Sequence, residues 1–510
     1  MDTMMNLIGL LNDKIVWGLP MVVLMIGTGI FLTVMTSGTM FTRFSTMMRQ
    51  TAGTLLRKAD SAEPGEGAIT PFQAVCTALA ATVGTGNIVG VAVAIATGGP
   101  GAVFWLWISA LLGMVIKYSE VTLSLAYRTV NEKGETVGGP MYYIDRGMGS
   151  KWLAQLFAFF GTMASFGIGA SVQANALAGG MNAAFGTDLR IIGAAVAVSG
   201  GLIFIGGIRR IAAVTEFLVP FMSVLYVGGA LIVLAVNIRE IPAAFGQIFR
   251  AAFTGSAAAG GFAGATVRYA CCIGMARGVF THEAGMGSAP IAHASARNDH
   301  PARQGLWGAM EVFFDAIVMC TVTALVILTS GLWTDGAYVH DGRSMSAAAF
   351  EQAFPFGRYI VTVGLVLFAF ATIVAWYYYG EKCVEYLFRG SRTARCIYQL
   401  LYTAMAYMGC VASLDAVWAF ADLFNGLMAI PNLIGLIALS GTVKKLNDDF
   451  FANPDAKGQK TPDFAFLNRS PGEMRGEFPG KPQAQNAGVL LKKYMIALDN
   501  GKLFDKKVGK

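Results

Sequence analysis

Residues 80–101 read AATVGTGNIVGVAVAIATGGPG, a stretch that is apolar enough for a membrane helix but is interrupted at its centre. Gly84, Gly86 and Gly90 follow one another closely, and each glycine in a helix interior costs about 1 kcal/mol relative to alanine. This pattern predicts that the helix is weakened where it crosses the bilayer. The polar neighbours of these glycines are Thr82, Thr85 and Asn87.

The composition places the whole chain in a membrane. Of its 510 residues, 55% are hydrophobic and 14% are charged, and the mean hydropathy is +0.55. Soluble domains carry about 25% charged residues, so this chain has too few charges for a water-exposed surface of its size. The net charge of +7 is concentrated in residues 441–510. We therefore predict an all-α polytopic protein in a lipid bilayer, with a polar cytoplasmic tail and no nucleic-acid partner.

Apolar stretches of about 20 residues, the length that crosses a bilayer, occur eleven times. The predicted spans are 15–36, 71–97, 101–126, 152–182, 190–206, 214–237, 262–292, 305–330, 358–380, 397–413 and 418–440. The predicted organisation is an N-terminal helix with its connection (1–70), a first five-helix unit (71–237), a second five-helix unit (238–440) and the tail (441–510).

The distribution of basic residues predicts the orientation. Connections on one side of the predicted spans carry 16 Lys and Arg, and those on the other side carry 6. Cytoplasmic loops are enriched in basic residues, so we expect the N-terminus outside and the C-terminus in the cytoplasm. Span two then runs outward and span seven runs inward. Two five-helix units of opposite topology are the arrangement of many secondary transporters.

Span seven is interrupted as well. Its residues 274–294, GMARGVFTHEAGMGSAPIAHA, contain four glycines and a proline. Breaks at matching positions of inverted halves indicate a binding site near the bilayer midplane. The freed backbone groups would bind a ligand, because helix N-termini attract a carboxylate and carbonyl oxygens suit a small cation. The alternative is that the glycines only permit close helix packing, since Gly86 and Gly90 fit the GxxxG pattern.

At these residues the chain resembles the alanine or glycine:cation symporters of bacteria and archaea. The matching stretches include TGNIVGVA (85–92) and THEAGMGSAPIAHA (281–294), and the similarity extends from about residue 65 to 445. The resemblance implies a leucine-transporter-like fold with one extra N-terminal helix, located in the bacterial or archaeal cytoplasmic membrane. It also implies import of alanine or glycine with Na⁺ by alternating access. No enzymatic activity, no cofactor and no metal beyond sodium are expected.

The resemblance also implies the site residues. Those for the substrate are Thr82, Thr85 and Gly86 in span two, Gln173 and Asn175 in span four, Gly278 and Phe280 in span seven, and Thr372 and Trp376 in span nine. Those for sodium are Ala80, Val83, Asn87 and Thr372.

For Trp376, Gln173 and Asn175, a purely structural role is the alternative to a role in substrate binding. Thr372 and Trp376 are four residues apart and share a helical face, where Trp376 would limit the pocket to a small side chain or would only fill a core. Gln173 and Asn175 would face the substrate or form interhelical hydrogen bonds. Ala371 precedes Thr372, so a second hydroxyl that transporters of this fold often place there is absent.

Charged residues inside the predicted spans leave the coupling ion open, because such residues are costly in a bilayer and mark functional positions. Lys117 and Glu120 are expected to pair on one helical face. Glu216, Glu311 and Asp315 are candidate proton carriers, which would make the protein a proton-coupled symporter of the same fold. No catalytic constellation of histidines, paired carboxylates or metal ligands favours a membrane enzyme, and the paired breaks disfavour a channel.

Overall fold

The computed structural model describes residues 8–9, 12, 16, 18–55, 68–254, 267–335, 338, 342–411 and 414–455. Of the tail predicted for 441–510, the part from residue 456 onward lies outside the described residues. So do residues 262–266 at the start of the predicted span seven.

The described chain is mostly helical, as the composition predicts. Its α-helices are α1 (Leu19–Met35), α2 (Thr39–Thr42), α3 (Phe44–Gln50), α4 (Ala52–Leu55), α5 (Pro71–Thr82), α6 (Val91–Gly98), α7 (Gly101–Ala126), α8 (Pro140–Met148), α9 (Lys151–Ala164), α10 (Val172–Phe185), α11 (Leu189–Phe204), α12 (Gly207–Val236), α13 (Ile241–Phe253), α14 (Val267–His282), α15 (Ala289–His293), α16 (Pro301–Val312), α17 (Thr321–Ser330), α18 (Gly342–Ala353), α19 (Gly357–Leu387), α20 (Arg392–Val411), α21 (Leu414–Ala438) and α22 (Ser440–Ala452). The remaining elements are the π-helical segments Gly86–Gly90, Ser165–Ser171 and Phe313–Cys320, the 3₁₀ turns Ile238–Glu240 and Leu332–Thr334, and the antiparallel hairpin of β1 (Thr129–Val130) and β2 (Thr136–Val137).

Several of these helices are long and apolar enough to cross a membrane. Within the described residues they are Gly101–Ala126, Lys151–Phe185, Gly207–Val236, Pro301–Ser330, Gly357–Leu387 and Ala421–Ala438. Pro71–Thr82 and Gly86–Gly98 pass the same test as a pair, with a bend of 51° between them. The predicted spans 15–36 and 190–206 correspond to shorter apolar helices. The protein is therefore a multi-pass membrane protein, and the count of eleven spans stays a prediction.

Helix α5 has a defined start and a defined stop. The Thr70 hydroxyl accepts a hydrogen bond from the Gln73 backbone N–H at 3.1 Å, and the Gln73 side-chain oxygen accepts one from the Thr70 N–H at 3.0 Å. This reciprocal cap satisfies two donors that a helix start leaves free, and Pro71 fits the first helical position. At the other end Val83 is extended, with φ −76° and ψ 90°, which stops the helix in the middle of the predicted span.

The two interrupted helices run in opposite directions and contact each other at several points along their length. Ile69, just before α5, forms a backbone bridge with Ala296, just after α15. Further along the first helix, Gly86 lies against Phe280 and Thr281, which precede the break in the second helix. This antiparallel course agrees with the opposite topology predicted for the two five-helix units, and the inverted repeat itself stays a prediction.

The described parts of the predicted connections 37–70, 127–151, 293–304 and 381–396 contact one another. Arg303 donates to Gln50 at 2.6 Å, and Arg128 donates to the Ala296 carbonyl at 2.9 Å. The Lys382 ammonium lies 2.8 Å from Glu135 of the hairpin and 2.9 Å from Glu385. Asn131 of the hairpin donates to Glu385 at 2.6 Å. The hairpin was not predicted, because strands of two residues are too short to show an alternating pattern.

The predicted pair of Lys117 with Glu120 is wrong. The Lys117 ammonium lies 3.4 Å from Glu311, whose other oxygen lies 3.2 Å from His293 Nε2. Glu120 instead accepts hydrogen bonds from the Gly285 N–H and the Asn432 amide. The spacing within one helix gave no information about these partners, since they belong to other helices.

Small residues set the closest approach between α7 and its neighbours. A Cβ atom added to Gly274 of α14 would overlap the backbone carbonyl of Ala102 and lie 2.8 Å from Trp105 Cβ. Glycine is therefore required at this position by close helix packing. This is the role that the sequence analysis gave as the alternative explanation for the glycines of the interrupted spans.

We predict that Gly274→Ala lowers the midpoint of thermal unfolding, because a backbone carbonyl cannot move aside and overpacking costs about 1–3 kcal/mol. The control is Gly228→Ala in α12, where an added Cβ meets nothing within 4 Å. Thermal unfolding of the purified protein in detergent checks both. Equal midpoints for the two variants would contradict the packing argument.

Candidate functional site

The break of the first helix interrupts the helical hydrogen bonding of the backbone between α5 and the π-helical segment that follows. The Val83 N–H still donates to Leu79 at 2.7 Å, and the Thr82 hydroxyl donates to the Ala78 carbonyl of its own helix at 3.2 Å. Regular helical bonding ends there, and helical structure resumes at Thr85, directly before the π-helical segment Gly86–Gly90. Val83 and Gly84 therefore form the interruption predicted for span two.

Asn87 holds this stretch in place. Its side-chain oxygen accepts from the Gly84 N–H at 2.9 Å. Its amide nitrogen donates to Asp315 Oδ1 at 2.7 Å and lies 3.2 Å from the Asp315 backbone carbonyl. The amide thus connects the broken helix to the π-helical segment Phe313–Cys320, and all three residues are buried.

Thr372 and Gln173 approach the break from two other helices. The Thr372 hydroxyl on α19 lies 2.9 Å from the Ala80 carbonyl and 3.0 Å from the Phe368 carbonyl. A Cβ on Gly84 would lie 3.0 Å from Thr372 Oγ1 and 3.7 Å from Gln173 Oε1. Helices α5, α10 and α19 therefore converge at Gly84, and any side chain there would fill the space between them.

Two buried acceptors near the break have no hydrogen-bond partner among the described residues. They are the side-chain oxygens of Gln173 and Thr85, and these residues are 3% and 1% exposed. The Gln173 amide nitrogen is satisfied, since it donates to the Ile168 carbonyl at 3.2 Å. Leaving a buried polar atom unpaired costs about 1–3 kcal/mol, so these oxygens are suited to receive a ligand's donor or a cation.

The second break lies between α14 and α15. Glu283 follows directly after α14 in a left-handed conformation, with φ 51°, which is uncommon for a residue with a side chain. Its carboxylate accepts from Trp376 Nε1 at 3.0 Å and from the Ser288 hydroxyl at 2.5 Å. Glu283 in this turn therefore holds the indole ring of Trp376 by a hydrogen bond.

The two breaks meet at Gly86. A Cβ there would lie 2.9 Å from Thr281 Cγ2 and 3.3 Å from the ring of Phe280. Trp376 lies on the same helix as Thr372, one turn away, and is 1% exposed. The interrupted segments and α19 therefore surround a common region.

The structure groups most of the predicted site residues but not all. Around the breaks it brings together Thr82, Thr85, Gly86, Gln173, Phe280, Thr372 and Trp376, with Ala80, Val83 and Asn87. Gly278 lies against Ser109 of α7, and Asn175 donates to the Gly409 carbonyl of α20 at 3.0 Å. Of the predicted sodium ligands, Ala80 and Thr372 contact each other, whereas Asn87 contacts Asp315. The roles of all these residues stay predictions.

Three residues at this region were not assigned to the site from the sequence. Gly84 is the point of convergence, Glu283 holds Trp376, and Asp315 contacts Asn87. The sequence carried a signal for the two acids, because each is a charge within an apolar segment. It carried no signal for their partners.

Comparison with known proteins identifies the family. The model of the sodium:alanine symporter family matches residues 1–465. The chain belongs to this family. Its members are transporters and not enzymes.

Curated relatives cover nearly the same region. The sodium/alanine symporter AgcS of Methanococcus maripaludis is 46% identical over 449 residues, which are 86% of this chain and 96% of that protein. The putative sodium/proton-dependent alanine carrier protein YrbD of Bacillus subtilis is 35% identical over 476 residues, 89% of this chain and 96% of that protein.

A solved structure shares the fold. The crystal structure of MhsT in complex with L-phenylalanine covers 80% of this chain and 95% of that chain, with a TM-score of 0.52 at 12% identity. At this identity the likeness concerns the fold alone, and it agrees with the leucine-transporter-like fold expected of the family.

Alanine uptake is the activity that the name of the family indicates. We predict that Gly86→Ala lowers such uptake at least tenfold, because the added methyl group forces the two broken helices apart at Thr281. The matched control is Gly90→Ala at the other end of the same π-helical segment, where a Cβ meets nothing within 4 Å. Uptake of radiolabelled alanine into proteoliposomes, normalised to incorporated protein, measures both. Similar losses in the two variants would mean that Gly86 is needed only for the backbone conformation.

Proposed function

We propose that the protein imports a small neutral amino acid, alanine and/or glycine, together with Na⁺ by alternating access. The observation that carries this proposal is the meeting of two interrupted, antiparallel helices at Gly86, beside the unpaired oxygens of Gln173 and Thr85. Membership of the sodium:alanine symporter family supports it, as does the sodium/alanine symporter of M. maripaludis among the relatives.

The substrate would lie between the two breaks. Its carboxylate would face the start of the helix at Gly86, where N–H groups and the helix dipole favour an anion. Its ammonium would be accepted by the Gln173 oxygen, which lacks another partner among the described residues. Phe280 and Trp376 would close the pocket around a side chain no larger than a methyl group.

Sodium would bind beside the unwound segment through carbonyl and hydroxyl oxygens. The contact of Thr372 with the Ala80 carbonyl supports a site there, with Val83 and Asn87 as neighbouring ligands. Ion binding would order the segment that also contacts the substrate. Such a coupling free energy is typically about 1–3 kcal/mol.

Alternating access would rock one helix bundle against a scaffold around this site. We propose the inverted repeat of two five-helix units, 71–237 and 238–440, as the basis of this motion. In the cell the protein would lie in the cytoplasmic membrane with its N-terminus outside and its C-terminus inside, because the basic connections would face the cytoplasm.

The alternative is a proton-coupled symporter of the same fold. The observation that favours it is the set of buried acids at the site, Glu283 and Asp315. The name of the B. subtilis relative, a putative sodium/proton-dependent alanine carrier protein, is also compatible with proton coupling.

Uptake of radiolabelled alanine into proteoliposomes under Na⁺, K⁺ or H⁺ gradients tests the proposal. We expect uptake only with Na⁺, competition by unlabelled glycine, and at least a tenfold loss in Gln173→Ala and Asn87→Ala. The control is Ser199→Ala, whose hydroxyl bonds only within its own helix. Uptake driven by H⁺ alone would favour the alternative, and no uptake under any gradient would refute the substrate assignment.

We predict that Trp376→Phe admits larger substrates such as valine and weakens alanine uptake. The smaller ring leaves space in the pocket, and the loss of the indole N–H leaves Glu283 without one of its donors. The matched control is Trp307→Phe, a buried tryptophan of α16. Competition of unlabelled amino acids against alanine uptake measures the effect. An unchanged substrate range would show that Trp376 only fills the core.

A further inference from the structure

Five arginines form a basic patch at one end of the molecule. Two lie at the start of α12, and three lie between the end of α19 and the first turn of α20: Arg209, Arg210, Arg389, Arg392 and Arg395. All are exposed except Arg395, which is half-buried. Among the described residues none of the five forms a salt bridge, whereas Lys382, near the end of α19, is paired with two acids.

The packing of α11 against α20 brings the two parts of the basic patch together. A Cβ on Gly193, near the start of α11, would lie 3.0 Å from the Tyr407 ring. The ring of Phe204, at the end of α11, lies 5.7 Å from that of Tyr402. The two helices are therefore antiparallel, and the end of α11, which Arg209 follows, lies toward the start of α20.

The hairpin of β1 and β2 borders both parts of the patch. Arg209 interacts electrostatically with Glu135 of the hairpin. A Cβ on Gly390, next to Arg389, would lie 3.3 Å from a carboxylate oxygen of Glu132. The two parts of the patch therefore lie beside the same small element.

The patch has an excess of positive charge. The acids beside it are Glu132 and Glu135 of the hairpin and Glu381 and Glu385 of α19, and Lys382 lies between two of them. The five arginines and this lysine outnumber the four acids. An anionic molecule would therefore be attracted to this surface.

Arg395 carries a donor that needs a partner. Its Nε atom is buried and forms no hydrogen bond within the described part of the chain. The guanidinium group is a planar set of donors that fits the oxygens of a phosphate group, and such charge-assisted bonds are stronger than neutral ones. Arg395 is therefore suited to bind a phosphate group.

The patch lies at the depth of the lipid headgroups. The apolar helix Gly207–Val236 begins two residues before Arg209, and the apolar helix Gly357–Leu387 ends two residues before Arg389. Exposed apolar side chains adjoin the arginines: Leu202, Ile205, Phe388, Ile397, Leu400 and Leu401. A molecule with a phosphate group and hydrocarbon chains would contact both kinds of side chain.

We propose that the basic patch binds an anionic phospholipid, with its phosphate at Arg392 and Arg395 and its acyl chains along α11 and α20. Basic clusters at the ends of membrane helices attract anionic lipids, and the attraction decays within a Debye length of the surface. The bound lipid would connect α11 and α20 at this end of the protein. The proposal goes beyond the proposed function and depends on neither the substrate nor the coupling ion.

Native mass spectrometry of the full-length protein in detergent, with phosphatidylglycerol or phosphatidylcholine at equal concentration, tests the site. We expect the wild type to retain phosphatidylglycerol at least tenfold more than phosphatidylcholine. The double variant Arg392→Gln/Arg395→Gln should lose this preference, because each basic residue near a membrane surface contributes roughly fivefold in affinity.

The matched control is Arg239→Gln/Arg250→Gln, which removes two exposed arginines beyond the other end of α12. It should keep the preference of the wild type. Equal retention of the two lipids by the wild type, or an unchanged preference in Arg392→Gln/Arg395→Gln, would overturn the proposal.

Thermal unfolding of the wild-type protein keeps the test independent of how the variants fold. A ligand that binds the folded state raises the midpoint of unfolding, so we expect phosphatidylglycerol to raise it by about 2 °C or more relative to phosphatidylcholine. Inorganic phosphate at the same concentration should have no effect. An equal rise with inorganic phosphate would indicate a site for free anions, and no rise with phosphatidylglycerol would exclude the lipid; either result would overturn the proposal.

Discussion

Backbone N–H and C=O groups inside a bilayer have no water to bind, so a helix that breaks there must find other partners for them. The architecture around Gly84 and Gly86 meets this requirement. Asn87 binds the Gly84 N–H, Thr372 binds the Ala80 carbonyl, and the opposite helix covers Gly86 with Phe280 and Thr281.

The same requirement explains the dense packing around the breaks. An irregular backbone is tolerated at membrane depth only where protein surrounds it, and α7 provides much of that surrounding. Glycines such as Gly274 on α14 let the helices approach until the glycine lies against the backbone carbonyl of Ala102 on α7. Packing and function are thus not competing explanations for the glycines, because close packing is what permits the broken segments to exist.

The sequence predicted the elements whose patterns are local. The span 101–126 coincides with α7, and an interruption near Gly84 and another within residues 274–294 were expected from glycine and proline. The resemblance implied that Gly278 and Phe280 lie in the unwound stretch of span seven, and this is wrong, because both lie within α14 and the break follows His282. The π-helical segment at Phe313–Cys320 was predicted as plain helix, because its bonding pattern leaves no residue signature. The partners of Lys117, Glu120 and Glu283 were also out of reach, since each partner lies on another helix. Residue types indicated which side chains matter, and only the fold indicates what they contact.

The central claim is that the two interrupted helices hold one amino acid between them. A cryo-electron microscopy structure of the protein with alanine and Na⁺, compared with one in choline without alanine, tests it most directly. The account predicts alanine density between Gly84, Gln173 and Phe280, present only in the first map. Density for alanine elsewhere in the molecule, with these residues unchanged between the two maps, would contradict it.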